Sequence, residues 1–594
     1  MTNTDSASPQ DIFMQRFDRM LESRGGHTLA VFPSGPLQFG ECKARMLMYC
    51  GAFAKLGLLP GDRALLRSGQ DDILVPMVLA LMRAGVTPVV ADQEATVAEC
   101  TELAELAKVS VVFADIEVGE IITCPCVNLQ PYATGRMSLA ALIDGPAPTS
   151  FGVIQQTLDR ALLVLTSGTT SRPKAVELTH ANLLAQLDIF ERVYGFDPEM
   201  RLMNLLPLHH VDGMIRGPLA ALWFGGTVYR QAPFSVQGVP QILQCVADRN
   251  ITHFISVPAM LRIIERVGRD QRNAFNYPAF RFVLSSADLL DAALWRQFEA
   301  TFQVPVVNVY GLSEVVCDAL FAGPEPETRC IGTLGRPVGC EARVVDEQGI
   351  LTPPNHVGEL VLTGPTVMRG YFNAPEVTDS VLQQGAFHTG DYVKVDRDGN
   401  FIFVGRKKTA IVSAGHTIHP ETAIQALASM PGILEAVAFG VPDPAMGQKL
   451  VAAVVPAPGY VLTPADIAAH CRTLLAPERV PREYRILSTL PRGASGKVKI
   501  DAVLAMTAAT EIQPEALDVL TVASRCFNLD VEALSLESTP FDTEGWDSLA
   551  HMALIEALED AFEIRFTPTQ IAMIMSLADA STFIQEALTE RQQG

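Results

Sequence analysis

Long apolar runs are scarce in this chain of 594 residues. The stretch 73–91 comes nearest to a membrane span, but Arg83, Gly85 and two prolines interrupt it, so no bilayer-spanning helix is expected. A secretory signal is also missing: residues 1–10 are polar, carry Asp5 and have no basic start. The 11 cysteines are odd in number and scattered, which excludes a regular disulfide framework. Cys124 and Cys126 form the one close pair, and no second pair or histidine cluster completes a zinc set around them. A reducing, cytoplasmic compartment fits this pattern. Basic residues are in deficit, 45 Lys and Arg against 66 Asp and Glu, which gives a net charge of −21 and argues against a nucleic-acid partner. Internal repeats and low-complexity tracts are absent too, so a solenoid or a long disordered spacer is not expected.

What remains is a large, ordinary globular composition, 48% hydrophobic and 19% charged, too long for a single core. Three or more packing units are expected. From residue 10 to about 405, short β-rich runs such as 161–165, 253–257, 281–284 and 304–309 alternate with helical patterns such as 258–267. That alternation predicts layered α/β architecture. After Gly335 the pattern turns β-rich, and the runs 392–395 and 401–404 flank a hairpin signal, Arg397-Asp398-Gly399-Asn400. A smaller α/β unit is expected from 406 to about 503, with helices at 421–429 and 465–475.

The tail differs in charge. Residues 512–594 hold 15 Asp and Glu against 3 Arg and no Lys, a net of −12, over half of the whole chain's charge. Within it, GWDSL (545–549) opens the run AHMALIEALEDAF (550–562). Helical periodicity puts Met552, Ile555, Leu558 and Phe562 on one face and Glu556, Glu559 and Asp560 on another. Taken alone, Ser548 reads as a helix N-cap.

Several segments with chemical potential precede the tail. TSGTTSRPK (166–174) follows a buried strand and precedes a helix starting near Thr179. Its backbone N–H groups, its hydroxyls and Lys174 suit phosphates, although no Gly-Lys-Ser/Thr ending makes it a Walker A loop. In order follow LPLHHVDG (206–213), NVYGLSE (308–314), FHTGD (387–391), GRKK (405–408) with GHTIHPE (415–421), and LPRGASGK (490–497).

In this order and at these spacings, the segments resemble those of the adenylate-forming superfamily: acyl-CoA synthetases, luciferases and the adenylation domains of peptide synthetases. The acidic helical tail resembles an acyl carrier protein, a four-helix bundle whose Asp-Ser-Leu serine bears 4′-phosphopantetheine. The resemblance implies residues 1–405 as an adenylation core, 406–504 as a mobile C-terminal subdomain, 505–514 as a linker and 515–594 as a carrier. It also implies ATP and Mg²⁺ as cofactors. By the same resemblance Thr166, Ser167, Gly168, Thr169, Thr170 and Lys174 wrap phosphates, and Tyr310, Gly311 and Ser313 hold adenine and the α-phosphate. Glu314 holds Mg²⁺. Asp391 accepts from the ribose hydroxyls beside Arg406. Lys497 bridges the substrate carboxylate and the α-phosphate, whose like charges repel by roughly 4 kcal/mol at 4 Å and an effective dielectric of 20. Lys408 is the hinge, His210 gates the thiol tunnel, and His209 is structural. Asp212, Gly213, Ser285, Ser286 and Asn308 edge the acyl pocket, and Ser548 is the attachment point.

Two departures from the superfamily pattern carry expectations. Ser171 and Ala175 stand where relatives carry glycine, which stiffens the phosphate loop. SSAD (285–288) replaces a glycine-rich stretch, which narrows the pocket. The leading expectation is an enzyme that adenylates a carboxylic acid and loads it onto its own carrier, as a step in natural-product or lipid biosynthesis. A phosphopantetheinyl transferase and a downstream acyl-accepting synthase are the expected partners. A free acid–CoA ligase, an amino-acid adenylator that pairs the substrate ammonium with Asp212, and a catalytically dead scaffold remain as alternatives.

Overall fold

Strands covered on both faces must be apolar throughout, and several here are buried at every position: Val111–Ala114, His253–Ser256 and Phe282–Ser285. In the computed structural model they belong to two large sheets. The structure describes residues 7–116, 124–130, 137–151, 159–166, 173–231, 233–413, 416–443, 447–457, 460, 462–476, 479–487, 489–491, 498, 500–505, 518–527, 529, 531–543, 546, 548–562 and 564–593.

One sheet has nine strands. At its centre Arg201–Asn204, His253–Ser256, Phe282–Ser285 and Val306–Tyr310 run parallel. The other has seven, with Arg63–Arg67, Thr87–Val90 and Arg160–Thr166 among its parallel members. The stretch nearest to a membrane span divides into the helix Asp71–Arg83 and the strand Thr87–Val90. Among the described residues no helix is long and apolar enough to cross a membrane.

The β-rich part is a five-stranded antiparallel sheet that includes Glu341–Val345, Gly358–Thr363, Ala386–Val395 and Phe401–Arg406. The Arg397–Asn400 turn closes its last hairpin, as its sequence predicts. A second five-stranded sheet, built around Ile433–Asp443 and Gly447–Pro456, carries the helices Pro420–Ala428 and Pro464–Leu474. Among the described residues the helices Ile500–Ala505, Val519–Phe527, Ser548–Phe562, Pro568–Met573 and Leu577–Gln593 follow. The helix Pro568–Met573 is started by a capping box, in which Thr567 and Gln570 satisfy each other's backbone N–H groups.

Between Lys174 and the helix expected near Thr179 lies a strand that the sequence pattern does not mark, Lys174–Thr179, which pairs antiparallel with Arg160–Thr166, so that Thr166 faces Lys174 across the pair. The helix begins at His180, capped by Thr179, where the sequence places it. Glu559, placed by periodicity on a different face from the apolar residues, is nevertheless 3% exposed. Its carboxylate is compensated by the Phe566 N–H at 2.8 Å and by Arg565 at 3.0 Å.

Candidate active site

The parallel strands of the nine-stranded sheet end in a polar row. Their register places Ile255 beside Asn204, Ser256 beside Ser285, and Ser285 beside Asn308. Polar side chains at the carboxyl ends of parallel strands mark where α/β sheets take ligands. Asn308 donates to the Thr333 carbonyl at 2.9 Å, while its Oδ1 is buried without a partner. Ser285 Oγ is likewise buried and unpartnered. Asn204 pins the segment 206–213: it accepts from the Leu206 N–H at 3.0 Å and donates to the Asp212 carbonyl at 2.8 Å.

Two glycines here are set by close packing. A Cβ on Gly213 would collide with the Pro207 carbonyl, and one on Gly311 would collide with the Cys317 carbonyl. Their place in the recurring segments therefore has a backbone reason.

His210 is the N-cap position of a short helix, Val211–Met214. Its ring centroid lies 4.2 Å from that of His209. His209 faces Asp92 at 3.7 Å, and burial together with His210 pushes its pKa down to about 4, against the pull of Asp92. A small cavity behind the pair is lined by Val90, Leu162, Val164, Leu208 and Met214. A second hollow, lined by Arg201, Thr252 and Arg281, lies at the opposite ends of the same strands, away from the polar row.

A second cluster surrounds Glu314. Tyr371 donates to Glu314 Oε1 at 2.7 Å, and Lys174 Nζ lies 4.8 Å from the Tyr371 ring centroid. Lys174 is held below the usual lysine range by burial and by Lys408, with Glu314 opposing. Lys174, Lys408 and Glu314, expected from sequence as phosphate-loop lysine, hinge and magnesium ligand, thus lie near enough to act on one another. Ser313 begins the short helical turn that carries Glu314.

Asp391 is 2% exposed and bridges the third cluster. Tyr310 donates to its Oδ2 at 2.6 Å, and Arg406, its register partner on the neighbouring strand, reaches Oδ1 at 3.1 Å. Burial raises the pKa of Asp391, and Arg406 and Tyr310 work against that. Burial first, then Asp391, raises Tyr310 well above the usual phenol range. Each carboxylate oxygen keeps a free acceptor direction for a further donor.

Asp212 is neither a turn residue nor free for a cation. It pairs at 3.0 Å with Arg216, which is fully buried. Arg216 also contacts Asp318 and donates to Ser286 Oγ at 3.3 Å, and Tyr194 donates to Asp318 at 2.7 Å. The two aspartates hold Arg216 charged against its burial. Arg216 Nε has no partner. Removing one member of a buried network strands the others, so Arg216→Met should destabilise the fold by about 3–5 kcal/mol. A urea midpoint equal to that of the unchanged chain would rule out this role.

Neither Tyr371 nor Arg216 is signalled by the recurring segments. Tyr371 sits two residues after Arg369 on a two-residue strand, Gly370–Tyr371, that pairs with Lys174–Thr179. Its proximity to Glu314 comes from tertiary pairing: that strand pairing, and the Met368 N–H, which donates to the Glu314 carbonyl at 2.8 Å. Ser167, Gly168, Thr169, Thr170 and Lys497 lie outside the described residues, as does the side chain of Ser548. Ser548 is the first residue of the helix Ser548–Phe562. Among the described residues, no three His, Cys, Asp or Glu side chains cluster as a metal set.

Comparison with known proteins gives three matches along the chain. The family model for the AMP-binding enzyme covers residues 17–372, that for the AMP-binding enzyme C-terminal domain covers 425–497, and that for the phosphopantetheine attachment site covers 518–584. A sulfoacetate–CoA ligase of Cupriavidus necator is 35% identical over 387 residues, 65% of this chain and 73% of that protein. An oxalate–CoA ligase of Arabidopsis thaliana is 35% identical over 344 residues, 57% of this chain and 66% of that protein. The crystal structure of ATP-bound MatB from Rhodopseudomonas palustris superposes with a TM-score of 0.75 at 25% identity, covering 82% of this chain and 98% of that one.

Proposed function

Because the chain belongs to the AMP-binding enzyme family and ends in a phosphopantetheine attachment domain, we propose that it activates a carboxylic acid as acyl-adenylate and loads it onto its own carrier. The family is acyl-AMP-forming and uses ATP with Mg²⁺. Residues 1–405 then act as the core, 406–504 as the mobile subdomain, 505–514 as the linker and 515–594 as the carrier. The observation that carries this reading is the joining of three polar clusters to an attachment domain in one chain. Tethering raises the effective concentration of the acceptor to about millimolar. Free CoA has no such advantage, although the curated relatives are named as CoA ligases.

The residues present suit the nucleotide and the metal. Asp391 keeps acceptor capacity for the ribose hydroxyls beside Arg406, and Tyr310 sits alongside for the adenine. Glu314 is the hard oxygen ligand that Mg²⁺ prefers, and the metal, when bound, offsets phosphate charge. Lys174 and the residues 166–170 would hold the phosphates, and Ser313 the α-phosphate. In the first half-reaction a substrate carboxylate oxygen attacks the α-phosphorus, and the bond to pyrophosphate breaks. In the second, the acyl group leaves AMP for the carrier; Ser548 would hold the phosphopantetheine arm, which would supply the thiol nucleophile. Lys497 serves the first half. The subdomain swing at Lys408 brings the thiol path into use for the second, with His210 as gate.

For the acid, the geometry favours a short, non-amino carboxylic acid with a second polar group. Asp212 is committed to Arg216, which removes the partner an α-ammonium would need. Ser286 adds a hydroxymethyl where a glycine would leave room, and the unpartnered Ser285 Oγ and Asn308 Oδ1 want polar company. The relatives named for sulfoacetate and oxalate act on small acids with two anionic ends. ATP–pyrophosphate exchange across short diacids, sulfo acids, hydroxy acids, aryl acids, fatty acids and amino acids tests this. The maximum is expected on a short polar acid; a maximum on an α-amino acid would refute the class, and one on a long-chain acid the pocket size.

A further inference from the structure

The carrier bundle rests directly on the large domain. Gln237 Nε2 donates to His551 Nδ1 at 3.1 Å and reaches the Ile574 carbonyl at 3.4 Å. Arg266 Nη2 donates to Glu559 Oε2 at 3.1 Å. The helix Pro258–Val267 packs against the helix Pro568–Met573, and Met260 and Ile263 join Ile571 and Ile574 in one apolar cluster.

The carrier side of this contact is built for a partner. Glu559 is nearly fully buried, a costly place for a carboxylate unless several donors meet it. Two of those donors, the Phe566 N–H and Arg565, come from the carrier, but Arg565 is itself 56% exposed. Arg266 supplies a further guanidinium on the same oxygen that Arg565 meets. His551 is 1% exposed. The Trp546 indole N–H, which can only donate, meets its Nδ1 at 3.1 Å, and its Nε2 faces the Ile571 carbonyl at 3.3 Å. The ring is therefore neutral, protonated on Nε2, with Nδ1 as an acceptor that Gln237 also addresses.

Charge agrees with this geometry. Residues 258–272 hold Arg262, Arg266, Arg269 and Arg272 against Glu265 and Asp270, while residues 512–594 carry a net of −12. Complementary surfaces of this kind select partner and register. Position agrees as well. Ser548 opens the helix on which His551 lies three residues later, less than one turn away. Gln237 belongs to the segment after the strand Thr227–Tyr229, which runs parallel to Arg201–Asn204, so that segment leaves the sheet at the edge bearing the polar row. Pro258 follows Ser256 of that row by two residues.

We propose that Gln237 and Arg266 form a docking surface for this chain's own carrier, which holds the Ser548 turn at the acyl-site edge of the large domain. The proposal rests on the carrier-loading reading for its purpose and on the contacts for its location. A transferase and fluorescein-labelled CoA would place a dye-bearing arm on Ser548 of the full chain. Dye anisotropy and amide hydrogen exchange over 258–267 and 568–573 are then read. Arg266→Glu is expected to lower the anisotropy and to raise exchange in both helices by at least about tenfold, because a buried carboxylate loses its partner and meets a like charge. Arg266→Lys should keep most of both signals. Wild-type anisotropy and exchange in Arg266→Glu would overturn the proposal. So would protection that vanishes on dilution, since the partner would then be a second copy. If wild type gains no dye, the carrier reading fails, and the exchange measurement still decides the docking.

Discussion

Lys497→Ala is expected to lose acyl-AMP formation by about 10²–10³-fold while retaining acyl transfer from supplied acyl-AMP. The first half-reaction brings a carboxylate against a phosphate, and one preorganised cation there is worth about that factor in rate. Lys174 and Arg406, the other cations assigned to the nucleotide, are not expected to substitute for it. Lys174 is engaged with the Tyr371 ring beside Glu314, and Arg406 is bound to Asp391. The second half-reaction needs a thiol path instead, for which the proposed swing of the subdomain would leave the first geometry. ATP–pyrophosphate exchange reads the first half, and intact mass of the carrier after addition of acyl-AMP reads the second. Equal loss in both assays would refute a single lysine serving one of two states in turn.

The large sheets were legible because their strands are covered on both faces and so read as apolar runs ended by turn residues. The hairpin around Arg397–Asn400 was legible for a local reason, since the turn type and the flanking alternation agree. The strand Lys174–Thr179 was not. It opens on a lysine and carries Glu177 near its middle, a pattern that local preference does not assign to a buried strand. Glu177 is tolerated there because Arg160 and Arg369 meet it, and Arg369 is distant in sequence.

The candidate site divides along the same line. Glu314, Asp391 and Arg406 stand in recurring segments whose spacing is visible in the chain, and the last two face each other across adjacent strands. Tyr371 and Arg216 belong to the same chemistry but reach it through tertiary pairing. Asp212 shows how such partners change a reading: from sequence it could have met a substrate ammonium, and in the fold Arg216 occupies it. Glu559 repeats the lesson in the carrier. Helical periodicity alone set it on a different face from the apolar residues, and two arginines, one of them on the large domain, allow it to be buried. Buried charges are set by partners that periodicity does not contain.

Ser548→Ala is expected to abolish the mass gain from CoA and a phosphopantetheinyl transferase, and with it all self-loading, while acid-dependent ATP–pyrophosphate exchange continues at the unchanged rate. The reason is chemical: only a side-chain hydroxyl at this position can form the phosphodiester, and alanine removes it without a change of helix preference that would unfold the turn. The loss of an N-terminal hydroxyl costs the helix about 0.5–2 kcal/mol, below what the buried cluster of Trp546, Met552, Ile555 and Leu558 contributes. Glu314, Asp391 and Arg406, the residues proposed to act in adenylation, lie in other elements, so exchange reads the first half-reaction without the carrier serine. Free CoA offered to the Ser548→Ala chain then separates the two acceptors: an acyl-CoA product would show that the site also serves a diffusing thiol, and its absence would tie the second half-reaction to the tethered arm. An alanine variant that still gained the arm would place the attachment elsewhere and remove the carrier role from this helix.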